Sequence, residues 1–215
     1  MSKSGYIIFV LILAFSACTE RSGKDDVGAG SAGKGNHMLQ TGPAAADRKK
    51  LIIAGLKQMQ EAFSDKDISQ IEKYFNFPLA ESTLSIYDLN EDFDQARKAN
   101  GNKISRELFI RNFNDIYDYF QLGSFNDLFK AVKLDDLKHK NELSSENHTE
   151  DEGCYYLYRI KVEGDTVKLQ YGTNSDQAFR AAHPDEEEIC NEASFEWTFK
   201  LEGTQLRLVS ELTAG

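Results

Sequence analysis

The chain has 215 residues, room for one domain and a tail, and a formal net charge of −10 with 11% aromatic residues. An acidic surface is repelled by phosphate backbones and by anionic lipid, and no Lys/Arg cluster interleaved with aromatics offsets the repulsion. Nucleic-acid binding and electrostatic adhesion to a membrane are therefore disfavoured, while the aromatic share supplies bulky material for a core.

Lys3 precedes an apolar run at residues 6–15, shorter than the ~20 residues of a bilayer-spanning helix. Ser16-Ala17-Cys18 then places small residues before a cysteine, the ending of an export signal. This resembles the bacterial lipobox, although Phe15 stands where leucine is usual. The resemblance implies a signal peptide over residues 1–17 and a Cys18 whose thiol receives diacylglycerol and whose new amino terminus is acylated. The alternative is an ordinary secretory signal with a chance cysteine. Loss of residues 1–17 removes one cation, Lys3, and leaves a net charge of −11. Two or three acyl chains, at ~0.8 kcal/mol per buried CH₂, hold a protein on a membrane far more durably than one. Lys24-Asp25-Asp26 is similar to the surface-export signal of Bacteroidetes lipoproteins, and a polar tether also yields such a triplet by accident. An outer-membrane lipoprotein is expected, on the periplasmic or the surface face. Residues 18–46, rich in Gly, Ser and Ala, read as a flexible spacer.

The folded domain is expected over residues 47–215. Asp47 caps a helix running to Phe63, with Leu51, Ile52, Leu56, Met59 and Phe63 at helical spacing. Asp67 caps a short second helix carrying Ile68, Ile71, Tyr74 and Phe75, and Pro78 ends it. Residues 83–89 read as extended, and Glu91 to Ala99 as a polar helical turn or two. Asn100-Gly101-Asn102 is a turn. Ser105 caps a third helix with the inner stripe Phe109, Phe113, Ile116, Tyr117 and Phe120, stapled at its start by Ile104 and stopped at Gly123. A further helix carries Leu128, Phe129, Val132 and Leu137.

From residue 153 the period changes to two. Tyr156, Tyr158, Ile160 and Val162 alternate with Leu157, Arg159 and Lys161, and Glu163-Gly164-Asp165 turns into Val167, Leu169 and Tyr171. Phe195, Trp197, Phe199 and Leu201 alternate likewise, and a glycine turn leads to Leu206, Leu208 and Val209. Helices followed by two antiparallel hairpins give an α+β fold with the helices on one face of the sheet.

The segments Ala62-Phe63-Ser64-Asp65-Lys66-Asp67, Ile71 to Leu79, Ile104 to Ile110, and Trp197 to Gly203 with Leu206-Arg207-Leu208 resemble the NTF2-like (cystatin-like) superfamily. The resemblance implies a curved sheet wrapped around helices as a cone with a pocket. It implies no reaction, because this scaffold hosts enzymes and binding modules alike.

Tyr156, Tyr158, Phe195, Trp197, Phe113 and Tyr117 are the candidate pocket lining. The same residues also make an aromatic core with hydroxyls reaching the rim. A catalytic reading needs a general base beside the tyrosines, and no inward Asp, Glu or His is evident on the strands. Carboxylates outside them, Asp88, Asp92, Asp94 and Asp118, are the remaining candidates. His37 falls in the tether and His139, His148 and His183 in polar loops, without metal-ligand spacing. The acidic runs at 150–152 and 185–188 lack the glycine of a calcium loop. No metal or cofactor is expected. Cys154 and Cys190 are an even pair in an exported chain and so a candidate disulfide, or two thiols lying beyond the ~7 Å bridging limit. Asp165-Thr166-Val167 is similar to a short O-glycosylation motif of Bacteroidetes exported proteins, and a hairpin turn accounts for it equally. Two functions are weighed on this basis. One is a non-catalytic module of an envelope lipoprotein, binding an unidentified ligand or envelope protein. The other is a small NTF2-like enzyme of isomerase or dehydratase type.

Overall fold

In a computed structural model of the chain, residues 45–149, 153–184, 190 and 192–215 are described. All belong to the second of two compact units, Thr41–Gly215. Cys18, the segment 1–17, the tether up to residue 44, Lys24-Asp25-Asp26, His37 and the acidic runs at 150–152 and 185–188 lie outside the described residues.

Helix α1 spans Ala45–Ser64, beginning two residues before Asp47. Ile52, Leu56, Met59 and Phe63 fall on one side of it and are buried. Gly55 lies on the same side, where a Cβ would come within 3.1 Å of the Leu206 side chain. The missing side chain lets the helix sit close on the sheet. Asp67 accepts from the backbone N–H groups of Ser69 and Gln70 and starts α2, Ile68–Ile71, which tightens into a 3₁₀ turn over Glu72–Tyr74.

Residues 83–89 form turns and loop rather than a strand. Leu84 and Ile86 are buried by packing. The segment meets the sheet through one backbone bond, from the Glu211 N–H to the Thr83 carbonyl at 3.0 Å. An in-out alternation without a ladder partner is therefore not a strand.

Asn90 caps α3, Glu91–Ala99, and Ser105 caps α4, Arg106–Arg111. The expected third helix is divided at Asn112, and α5 runs over Phe113–Tyr119. The Asn112 side chain donates to the Leu108 carbonyl at 2.9 Å, a local bond that competes with the helical ladder. The stripe Phe109, Phe113, Ile116, Tyr117 and Phe120 stays buried across the break. After Gly123 the chain turns into α6, Ser124–Ala131, and a 3₁₀ turn over Leu134–Lys138 buries Leu137.

The sheet has five strands in the order β1-β2-β3-β4-β5, each antiparallel to its sequence neighbour. They are β1 Glu142–Thr149, β2 Cys154–Glu163, β3 Thr166–Ser175, β4 Ala193–Glu202 and β5 Gln205–Ala214. A short helix, α7, covers Gln177–Ala182 between β3 and β4. Strand β1 corrects the expected polar loop, and places His148 opposite Tyr155. It is an edge strand whose apolar contribution is Leu143, so it carries little of the alternation by which strands are read.

Helices α1 and α6 pack on the sheet, α1 on β4 and β5 and α6 on β2 and β3. The fold is α+β, with helices on one face of a curved antiparallel sheet. The opposite face carries cross-strand ion pairs such as Lys168–Glu196 at 2.7 Å, the solvated side of the layer.

Candidate functional site

Residues directly opposite on antiparallel strands share a face. Tyr158 stands opposite Tyr171, and Tyr171 opposite Phe195, so these three cross the inner face in one row. The middle of that face is filled. The Phe125 ring of α6 lies 4.7 Å from Phe63 of α1, 5.6 Å from Trp197 and 5.6 Å from Tyr171. The Tyr171 hydroxyl is satisfied, donating to the Phe120 carbonyl at 2.5 Å. Burial raises its pKa well above the usual phenol range.

Toward the end of the sheet where β2 begins and β3 ends, the helical cover thins and a cleft opens. Its inner part is a cavity of about 80 Å³. Tyr156 and Tyr158 of β2, Tyr171, Gly172 and Thr173 of β3, and Ala193 and Phe195 of β4 line one side, with Gln121, Ser124 and Asp127 on the other. Its outer part, about 600 Å³, shares Asp127, Tyr156 and Tyr158 and adds Lys130, Ala131, Ser145 and Glu146. Tyr171 and Phe195 stack at 5.0 Å as the floor. Tyr156 and Tyr158 are half-buried, and neither hydroxyl is hydrogen-bonded within the described residues. Burial, then the Asp127 carboxylate, then Tyr156 raise the Tyr158 phenol above its ordinary range, so it remains a neutral donor.

Of the six candidate lining residues, Tyr156, Tyr158 and Phe195 meet in this cleft. Trp197, Phe113 and Tyr117 do not line it. Trp197 is 1% exposed beneath Phe120 and Phe125, and Phe113 is wedged between Phe109 and Tyr117. Lys66 covers the Tyr117 ring, its Nζ 4.3 Å from the centroid.

Cys154 and Cys190 form a disulfide with Cα atoms 5.7 Å apart. The bridge ties the start of β2 to the segment entering β4, and the Ser175 hydroxyl of β3 donates to the Cys190 carbonyl at 3.1 Å. Three strands that contribute to the cleft are thus joined at its rim. Gly153 adopts φ +63°, and a Cβ there would overlap the Phe179 ring of α7 at 2.7 Å.

One inward carboxylate escapes the reading of the strands. Thr198 pairs with Ser210 but Phe199 with Leu208, so Val209 is an extra residue, a β-bulge. Beyond it the parity of β5 reverses. Glu211 stands opposite Trp197 and is 8% exposed, while Leu212 turns outward at 62%. Burial holds the Glu211 carboxyl above the usual range, and the Thr213 hydroxyl donates to it. The indole Nε1 of Trp197 is buried with no hydrogen-bond partner among the described residues. Glu211 does not line the cleft. The other carboxylates considered, Asp88, Asp92 and Asp118, are exposed to solvent, and Asp94 pairs with Arg97 at 3.8 Å.

A second concavity, about 590 Å³, lies between α1, α2 and the β4–β5 turn; Gln58, Glu61, Asp65 and Lys73 make it polar. Among the described residues no three His, Cys, Asp or Glu are placed to hold a metal ion, and no helix is long and apolar enough to cross a membrane. Compared with protein-family models, curated proteins and solved structures, the chain matches none.

Proposed function

We propose that the protein is an envelope lipoprotein of NTF2-like type, held on the outer membrane through acylated Cys18, whose domain is a binding module working through the tyrosine-lined cleft. The observation that carries the binding role is the pair Tyr156 and Tyr158, half-buried in a concave surface with hydroxyls that have no hydrogen-bond partner among the described residues. Buried and half-buried polar groups are ordinarily paired. Phenols presented in a concave surface are instead available to a ligand. The test is a screen of small-molecule classes by NMR on the full chain, following the ring resonances of Tyr156 and Tyr158. Ligands that shift these rings, and lose the effect in Tyr158→Ala, are expected. Silence from every class, with no partner captured by crosslinking, removes the binding role. The anchor has its own measurement, since Cys18→Ala is expected to release the protein from the membrane fraction.

A second reading, a small acid–base enzyme, is favoured by one observation, the raised and buried Glu211. It ranks below binding because the floor of the cleft, Tyr171 and Phe195, is lined without it. A substrate turned over by the protein and spared by Glu211→Gln would show that this carboxyl is not the base.

A further inference from the structure

We infer that the inner part of the cleft is a cage for an alkylated ammonium group, the head of a quaternary amine or of an N-methylated lysine side chain. The inference rests on the cleft being the ligand site and names the chemistry it takes. Four aromatic side chains bound the inner cavity, Tyr156, Tyr158, Tyr171 and Phe195, together with one carboxylate, Asp127. Among the described residues no Lys, Arg or His shares that lining. Aromatic faces carry negative potential and attract a cation, and the attraction grows to about 2 kcal/mol when the cation is desolvated. The phenols stay neutral, since burial raises Tyr158 and Tyr171 above their ordinary range. They neither repel an anion by charge nor supply a second counterion, so Asp127, paired at 3.3 Å with the exposed Lys130 of the outer cleft, is the carboxylate that faces the cage.

Size points the same way. At about 80 Å³ the inner cavity is well below the about 300 Å³ from which whole-ligand pockets begin. It takes one compact headgroup. The outer cleft, about 600 Å³ with Ser145, Glu146 and Lys130, takes what the headgroup is attached to. A phosphate or carboxylate head would meet Asp127 in the inner lining, where the neighbouring cation, Lys130 of the outer cleft, is already paired with that carboxylate at 3.3 Å. A neutral sugar is the competing occupant, since Gln121, Ser124 and Thr173 offer hydrogen bonds. It would not use the cation preference of the ring faces.

The test is calorimetric titration of the full chain, in non-ionic detergent, with choline, with trimethyllysine amide, and with 3,3-dimethylbutan-1-ol, the uncharged isostere of choline. One or both cations bind, and the isostere binds about tenfold more weakly or not at all, as loss of a desolvated cation–π contact requires. Asp127→Asn and Tyr158→Ala weaken the cation by a similar factor, while Lys57→Ala on the far side of α1 leaves it unchanged. Preference for choline over trimethyllysine, or the reverse, identifies a small-molecule or a protein source. Equal binding of the isostere overturns the cage and leaves a ligand cleft of neutral preference. Absence of cation binding, with the tyrosine rings still shifting on addition of a neutral oligosaccharide, also overturns it and leaves the binding role standing. If no probe of any class moves those rings, the binding role falls as well.

Discussion

The middle of the inner sheet face and its cleft end are built from the same alternation, and they differ in what covers them. At Trp197 and Phe199 the strand residues meet Phe120 and Phe125 of the α5–α6 region and Tyr74 of the turn after α2, and no inward ring is left open. At Tyr156 and Tyr158 the opposing residues are Ser124, Asp127 and Lys130, short or charged, and the rings stay half-buried, their hydroxyls unpaired among the described residues. On β4 a tryptophan and a phenylalanine, Trp197 and Phe199, stand where cover is complete, and on β2 two tyrosines, Tyr156 and Tyr158, stand where it fails. The phenol tolerates a wet end that a bare ring does not.

Substitutions at the two places should separate stability from binding. Trp197→Ala should cost about 3–5 kcal/mol, seen as a large fall in the urea unfolding midpoint. If instead it costs under about 1 kcal/mol, the middle is not the packed region described here. Next comes the rim. Replacing both Cys154 and Cys190 by serine removes a link across 36 residues, with an expected loss of about 2–4 kcal/mol. Because the bridge lies at the cleft, the same variant should also bind ligand more weakly, which a link serving only the core would not produce.

Glu211 gives a smaller effect of opposite sign. Its folded pKa lies above its unfolded value, so the folded state favours the protonated form. The contribution to stability is complete below the ordinary glutamate range and is lost as pH rises through the raised folded value. Glu211→Gln should therefore leave stability little changed in acid and raise it near neutrality. Unfolding midpoints measured from about pH 4 to about pH 8 should flatten in the variant relative to wild type. The smallest effect belongs to the cleft. Tyr158→Phe should alter stability by no more than about 0.5 kcal/mol, because its hydroxyl has no partner to lose among the described residues. A large destabilisation by this change would mean that the cleft end is core after all.

Much of this was legible in the sequence where one physical rule governs. Ile52, Leu56, Met59 and Phe63 gave α1 by period, Asp67 and Ser105 gave helix starts by their side-chain oxygens, and Phe195 to Leu201 gave β4 by alternation. The α+β class followed from the change of period. The misses occurred where partners decide. Glu142–Thr149 becomes a strand because β2 offers it an edge, not because of its own composition. Asn112 divides a helix that the aromatic stripe alone would continue. The bulge at Val209 carries no glycine or proline to mark it, so Glu211 reads as outward by counting and is inward by pairing. The one available hint was the adjacent pair Leu208-Val209, two apolar residues where strict alternation allows one. In the cleft, the tyrosines were visible, but Asp127 and Ser124 come from a helix whose placement over β2 and β3 no local pattern specifies.

The close fit of Gly55 against Leu206 joins the first helix to the last strand, and it bears on the order in which the protein can be completed. The five strands pair with their sequence neighbours, so the sheet can zip up hairpin by hairpin as it leaves the ribosome. Helix α1, made first, lacks the surface of β5 until nearly the whole domain has emerged. For that interval the face bearing Ile52 and Leu56 is an adhesive one, offered to chaperones or to neighbouring chains before its own partner arrives.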